Sequence, residues 1–65
     1  MIAEIDIWRA AYLMLSRYGE TAEEAGSRRA DELSAVDDKA GAAVWRRIID
    51  AIVALSNTKS PGLVH

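Results

Sequence analysis

Apolar residues recur three and four positions apart in three successive stretches of this chain, and this period is what most limits the folds open to it. Such spacing gathers apolar side chains on one face of an α-helix. No internal repeat accompanies the pattern. The chain is also rich in Ala, the strongest helix former, and contains no Phe. The sequence therefore predicts an all-α protein.

The first predicted helix covers about residues 4–18, and apolar residues occupy roughly half of its circumference. One stripe on a face of this helix comprises Ile5, Trp8, Tyr12 and Leu15, which recur three and four positions apart. Trp8 lies in the middle of this stripe and is assigned to the core, opposite the small residues of the second helix. Leu13 is expected among the exposed residues, and Gly19 is expected to end the helix as a left-handed C-cap. A neighbouring apolar stripe comprises Ile7, Ala11, Met14 and Tyr18.

The second predicted helix covers about residues 21–35 and opens with the pattern of a capping box. The Thr21 hydroxyl is expected to accept a hydrogen bond from the Glu24 N–H, while the Glu24 carboxylate reaches back to Thr21. The inward positions are nearly all small. We therefore expect a thin helix packed tightly between two bulkier ones. Those inward positions are Ala22, Ala25, Gly26, Ala30 and Leu33.

The third predicted helix covers about residues 38–56, with Asp37 or Asp38 as its N-cap. It carries more apolar surface than two small neighbours can easily cover. After it, Pro61 and Gly62 stop any helix, so residues 58–65 are expected to form a disordered or frayed tail. The seam of the helix comprises Gly41, Trp45, Ile48, Ile52 and Leu55.

The links between these helices are short, which favours antiparallel neighbours. The fold prediction is a small three-helix up-down-up bundle over residues 1–57 with a flexible C-terminal tail; a helix-turn-helix-like crossing is the variant. A chain of 65 residues without cysteine forms only a marginal core. Idealised helix packing or oligomerisation must then supply the missing stability.

The sequence also resembles a group of short uncharacterised alphaproteobacterial proteins classed as a domain of unknown function. The resemblance covers roughly residues 7–55 and implies a small helical domain. It implies no known activity, so no catalytic residue is transferred. The residues that carry it are Ile7-Trp8, Tyr18-Gly19, Ala25, Arg29-Ala30-Asp31-Glu32-Leu33, Gly41 and Val44-Trp45-Arg46-Arg47-Ile48.

The residues that enzymatic chemistry needs are not combined in this sequence. The single histidine is His65, the last residue of the predicted tail, and no serine has a partner that could act as its base. Neighbouring carboxylates sit at caps or on polar helix faces, where adjacent residues do not face each other. No glycine-rich phosphate-binding motif is present. We expect no enzyme, no catalytic, cofactor-binding or metal-binding residue, and no small-molecule substrate.

Nucleic acid and membrane are also disfavoured as partners. The Arg28-Arg29 and Arg46-Arg47 pairs suit a helix-turn-helix domain superficially, but the net charge is -2 and the pI is about 5.2, whereas DNA binding needs a basic face. Asp50 interrupts the longest apolar run, which is too short to span a bilayer. The N-terminus lacks the basic residues of a leader. We expect a cytoplasmic protein.

A protein partner is the interaction that remains. The edge of the third helix formed by Trp45, Arg46, Ile49 and Val53 has the composition of an interface, although Trp45 could equally be the largest residue of the core. The first hypothesis is an accessory or regulatory subunit that docks on a larger protein through this edge. The alternative is a self-associating homo-oligomeric module. A helix-turn-helix-like nucleic-acid binder is a weaker third hypothesis.

Overall fold

The computed structural model describes the backbone of residues 3–59 and the side chains of residues 3–57. It contains three α-helices, α1 (Glu4–Tyr18), α2 (Ala22–Ala35) and α3 (Lys39–Lys59). No strand occurs in this part of the chain, and the all-α prediction is confirmed. Helix α3 continues past its predicted end at about residue 56 and reaches Lys59, the last residue whose backbone is described. Residues 60–65 of the predicted tail lie outside the described part.

A 3-10 turn at Gly19–Thr21 links α1 and α2. Gly19 has φ 57° and ψ -122°, which is not helical backbone, and its N–H donates to the Leu15 carbonyl. Gly19 thus ends α1 with a positive φ, as expected, but its ψ lies outside the left-handed helical region. The predicted left-handed conformation of this C-cap is therefore wrong, and the observed one is backbone space that suits glycine.

The predicted capping box at the start of α2 is wrong. The Thr21 side chain makes no cap hydrogen bond; its Oγ1 instead donates to the Tyr18 carbonyl at 2.9 Å. A capping residue needs extended backbone, but Thr21 has φ -97° and ψ 9°. Because the 3-10 turn keeps this segment helical, the Thr21 hydroxyl points back along the chain. Glu24 pairs with Arg28 at 3.9 Å instead.

A three-residue corner, Val36-Asp37-Asp38, closes α2 and opens α3. The N–H of Asp38 donates to the Leu33 carbonyl at 2.8 Å and that of Asp37 to the Ser34 carbonyl at 3.0 Å, the two bonds of a Schellman motif. Asp37 accordingly has φ 63°. The carboxylate of Asp38 accepts from the Gly41 N–H at 3.0 Å. Of the two predicted caps, Asp38 is the one that caps α3.

Helix α3 is the central element of the packing. It contacts both α1 and α2, whereas α1 and α2 contact each other far less. The expectation that α2 lies between two bulkier helices is wrong. Helix α1 therefore has one principal neighbour instead of the two that a three-helix bundle would give it.

Small side chains make up most of the core. Its largest fully buried side chain is Ile52. Gly26 on α2 faces Ile49 on α3, where an added Cβ would lie 3.0 Å from Ile49 Cγ1. Gly26 therefore allows α2 and α3 to approach closely. The buried apolar residues are Ile7, Ala11, Ala22, Ala30, Ala42, Ile48, Ala51 and Ile52.

One of the two apolar stripes of α1 faces the core. Ile7 and Ala11 are buried, whereas Ile5 and Tyr12 of the neighbouring stripe are exposed. The assignment of Trp8 to the core is wrong, because its side chain is also exposed. Leu15 is partly buried against the core.

Candidate functional site

Four large apolar side chains of α1 are exposed together beside the stripe that packs on α3. The exposed fraction is 61% for Ile5, 39% for Trp8, 66% for Tyr12 and 64% for Leu13. In an α-helix, positions 5, 8 and 12 follow one another along one face, and position 13 lies beside them. A contiguous exposed apolar surface of this kind marks interaction sites more often than scattered apolar residues do.

These side chains border an open groove of about 500 Å³. Leu55 of α3 extends the apolar lining, and Arg9 contributes the one charged side chain. We call this surface the α1 face; it is lined by Ile5, Trp8, Arg9, Tyr12, Leu13 and Leu55.

The α1 face is exposed because α1 carries more apolar surface than one neighbour can cover. Helix α3 covers the stripe containing Ile7 and Ala11, with Met14 packed beside them. Because α2 makes few contacts with α1, the neighbouring stripe stays largely exposed among the described residues. The face can bury apolar area and stack an aromatic ring or a guanidinium group. It holds no pair of groups arranged for acid–base chemistry.

The predicted binding residues of α3 lie in more enclosed surroundings. Trp45 is partly buried against the core, and Ile49 packs over Gly26. Val53 is half-buried, while Arg46 is exposed. The structure therefore packs Trp45 and Ile49 within the chain and leaves Arg46 accessible to solvent. Their role in binding a partner stays a prediction.

Trp45 also borders a second, more polar groove between the helices. Its other lining residues include Met14 and Tyr18 of α1 and Arg28 and Arg29 of α2. Arg29 donates to Glu32 Oε1 at 3.2 Å, so its charge is already paired. This groove is mixed in character, unlike the α1 face.

Metal binding and membrane crossing have no support within residues 3–59. That range holds no group of three or more His, Cys, Asp or Glu side chains that could bind a metal ion. None of its helices combines the length and the apolar character needed to cross a membrane.

No family model, curated protein or solved structure matches this chain. The resemblance to short alphaproteobacterial helical proteins therefore stays a prediction.

Sequence reasoning found the residues of the α1 face but gave them a different role. The sequence places Ile5, Trp8 and Tyr12 on one apolar face and assigns Trp8 to the core, whereas it predicts that Leu13 is exposed. The signal was present, since two apolar stripes on one helix require two neighbours. The sequence does not show which stripe receives the neighbour.

Proposed function

We propose that this chain is a non-enzymatic protein-interaction module that docks through the α1 face. The observation that carries the proposal is the joint exposure of Ile5, Trp8, Tyr12 and Leu13. Aromatic residues and arginine are enriched at protein interfaces, and Trp8, Tyr12 and Arg9 supply both kinds here.

The proposal moves the docking surface from the edge of α3 to α1. Trp45 and Ile49 already contribute to packing within the chain, so less of their apolar surface is available to a partner. In the predicted three-helix up-down-up bundle, α1 would have two helical neighbours. Here the docked protein supplies the second neighbour. The proposed location is the cytoplasm, which a chain without cysteine suits.

A matched pair of variants tests the proposal. Leu13→Glu puts a charge in the α1 face, and Ser27→Glu adds the same charge at an exposed position of α2. Both sites are exposed, so both variants should keep the helical circular-dichroism signal. The tagged chain is crosslinked in a lysate of its host, and crosslinked complexes are detected as species of higher mass. We expect these species to be absent for Leu13→Glu and present for Ser27→Glu.

Arg46→Glu is the corresponding probe of the predicted α3 edge, because Arg46 is exposed. Loss of association in Arg46→Glu with retention in Leu13→Glu would return the docking surface to α3. Equal behaviour of all three variants would contradict an interaction through either surface.

A further inference from the structure

We propose that the partner on the α1 face is a second copy of this chain, with the two α1 helices packed antiparallel about a two-fold axis near Tyr12. This inference rests on the proposed interaction function and names its partner. It uses the charges that border the face, which the docking proposal itself does not use.

Opposite charges lie on the same edge of the α1 face. Asp6 is in the first turn of α1 and Arg17 in the last. They are eleven positions apart, which is about three helical turns and about 16 Å along the axis. Glu4 lies on the opposite edge, because a separation of two residues turns the side chain by about 200°.

Among residues 3–57, whose side chains are described, the charged groups on these edges have no ion-pair partner. The two ion pairs of this range join residues of α2, Glu24 with Arg28 and Arg29 with Glu32. Asp6 and Arg17 are both exposed. They are therefore free to pair with a docked molecule.

Two-fold symmetry decides what each charge meets. When identical helices pack antiparallel, the same edge of each helix comes together, so Asp6 of each copy lies beside Arg17 of the other. When they pack parallel, opposite edges meet at the same height, so Asp6 would lie near Glu4 of the other copy. Antiparallel packing gives two attractive pairs, whereas parallel packing gives two repulsive ones.

The two-fold axis also determines which residues of the two copies meet at the centre of the α1 face. The midpoint between Asp6 and Arg17 falls next to Tyr12, so the two Tyr12 side chains and the two Leu13 side chains meet there. Arg9 lies within one turn of Tyr12 of the other copy, where its guanidinium can stack on the ring. Ser16 lies opposite Ile5 and is small enough to admit it.

Self-association also meets the stability need of this chain. The core of the described residues is built from alanine and isoleucine, and the chain has no cysteine for a disulfide. Small domains of this kind commonly gain their missing stability by oligomerising. Pairing of α1 with α1 covers the apolar side chains that the chain itself leaves exposed.

A charge-exchange experiment on the full chain tests the proposal. Sedimentation equilibrium is measured for the unchanged chain, Asp6→Arg, Arg17→Asp, and an equimolar mixture of the two variants. The unchanged chain should be a dimer. Each variant alone places like charges together twice, so its dimerisation constant should fall about tenfold at low salt. The mixture should recover the affinity, because a dimer of one variant with the other again places an arginine opposite an aspartate at both contacts.

The mixture is an internal control for folding. In both variants the new charge interacts unfavourably with the dipole of α1. This loss of helix stability belongs to each chain and is unchanged when the two variants are mixed. Recovery in the mixture therefore reports contact between copies. Recovery should also weaken at high salt, because exposed charges are screened. Dimers of both single variants as strong as those of the unchanged chain, with no gain on mixing, would overturn the antiparallel pairing.

The state of the unchanged chain separates this inference from the proposed function. A monomer over the whole micromolar to millimolar range overturns the second copy as the partner. If such a monomer crosslinks to a foreign protein, and if Leu13→Glu abolishes that crosslink while Ser27→Glu retains it, the docking function stands. If neither variant changes any association, both proposals fail.

The C-terminal residues of the same chain are the competing occupant. Leu63 and Val64 are apolar and are therefore alternative occupants of an apolar surface. The variant Leu63→Asp/Val64→Asp in the full chain tests them. Conversion of a monomeric chain into a dimer by this change would assign the face to its own C-terminal residues and overturn the proposal. A dimer in both forms supports it.

Discussion

Gly26 lies directly against Ile49, and the distance between α2 and α3 depends on this contact. A Cβ at position 26 would lie 3.0 Å from Ile49 Cγ1 and 3.8 Å from Ile52 Cδ1. The first distance is tighter than ordinary van der Waals contact, so any side chain at position 26 requires Ile49 to move. The absence of a side chain at position 26 therefore allows α2 and α3 to pack at this distance.

Gly26→Leu should lower the free energy of unfolding by about 1–3 kcal/mol, because a branched side chain overpacks this contact. Gly26→Ala should cost less, because alanine regains about 1 kcal/mol of helix propensity. Urea unfolding followed by circular dichroism measures both. Ser27→Leu, at the next and exposed position, is the control. Equal tolerance of leucine at both positions would show that α2 and α3 are not in close contact.

Ile52→Ala should cost about 2–5 kcal/mol, the range for truncating a large buried aliphatic side chain. Ile52 is 1% exposed and is the largest fully buried side chain of the described residues. Val36→Ala, at a side chain that is 72% exposed, should change stability by less than about 0.5 kcal/mol. Chemical unfolding of the two variants in parallel measures the difference. Similar small effects would place Ile52 outside the core.

Asp37→Gly should stabilise the chain by about 1 kcal/mol. Asp37 has φ 63°, a conformation that costs an L-residue about 1–2 kcal/mol and glycine much less. In a domain of this size, the change should raise the melting temperature by about 4–8 °C. Asp37→Ala keeps the Cβ and should bring no gain. A melting temperature that does not rise with glycine would contradict the positive φ.

Asp38→Ala should destabilise the chain by about 1 kcal/mol through loss of the N-cap of α3. The bond that is lost is the one from the Gly41 N–H to Asp38 Oδ1, 3.0 Å long. Asp38→Asn keeps an acceptor oxygen and should retain most of the stability. Thermal unfolding of the two variants distinguishes the cap from the charge. An alanine variant as stable as the asparagine variant would exclude a capping role.

Thr21→Ala should cost less than about 0.5 kcal/mol, because the Thr21 hydroxyl bonds to the exposed Tyr18 carbonyl and caps no N–H. A capping box would instead lose about 1 kcal/mol. The free energy of unfolding in urea separates these values. Asp38→Ala, which removes a cap that is present, sets the scale for the comparison. An equal loss in both variants would restore the capping box.

Helix positions follow well from sequence, whereas helix neighbours do not. The three helical stretches, the positive φ at Gly19 and the cap at Asp38 depend on residues close in the chain, and local rules predict them. The failure at Thr21 is also local. The same residue types suit either a fresh N-cap or a continuing 3-10 turn, and the preceding Gly19 backbone selected the turn.

The candidate site could be predicted only in part, because it depends on tertiary contacts. The sequence shows that α1 has two apolar stripes, and each could face the core. In the structure Ile7 and Ala11 face it, which leaves Trp8 and Tyr12 exposed beside them. The sequence shows how much apolar surface α1 carries, but it does not show which part of that surface packs against α3.

The corner at Asp38 has a consequence for the order of folding. One residue closes α2 through its N–H and opens α3 through its carboxylate, so neither helix end can form fully without the other. Contacts between adjacent helices close short loops, which form fastest. We therefore expect α2 and α3 to assemble first as a helical hairpin, and α1 to dock later on a surface that already exists.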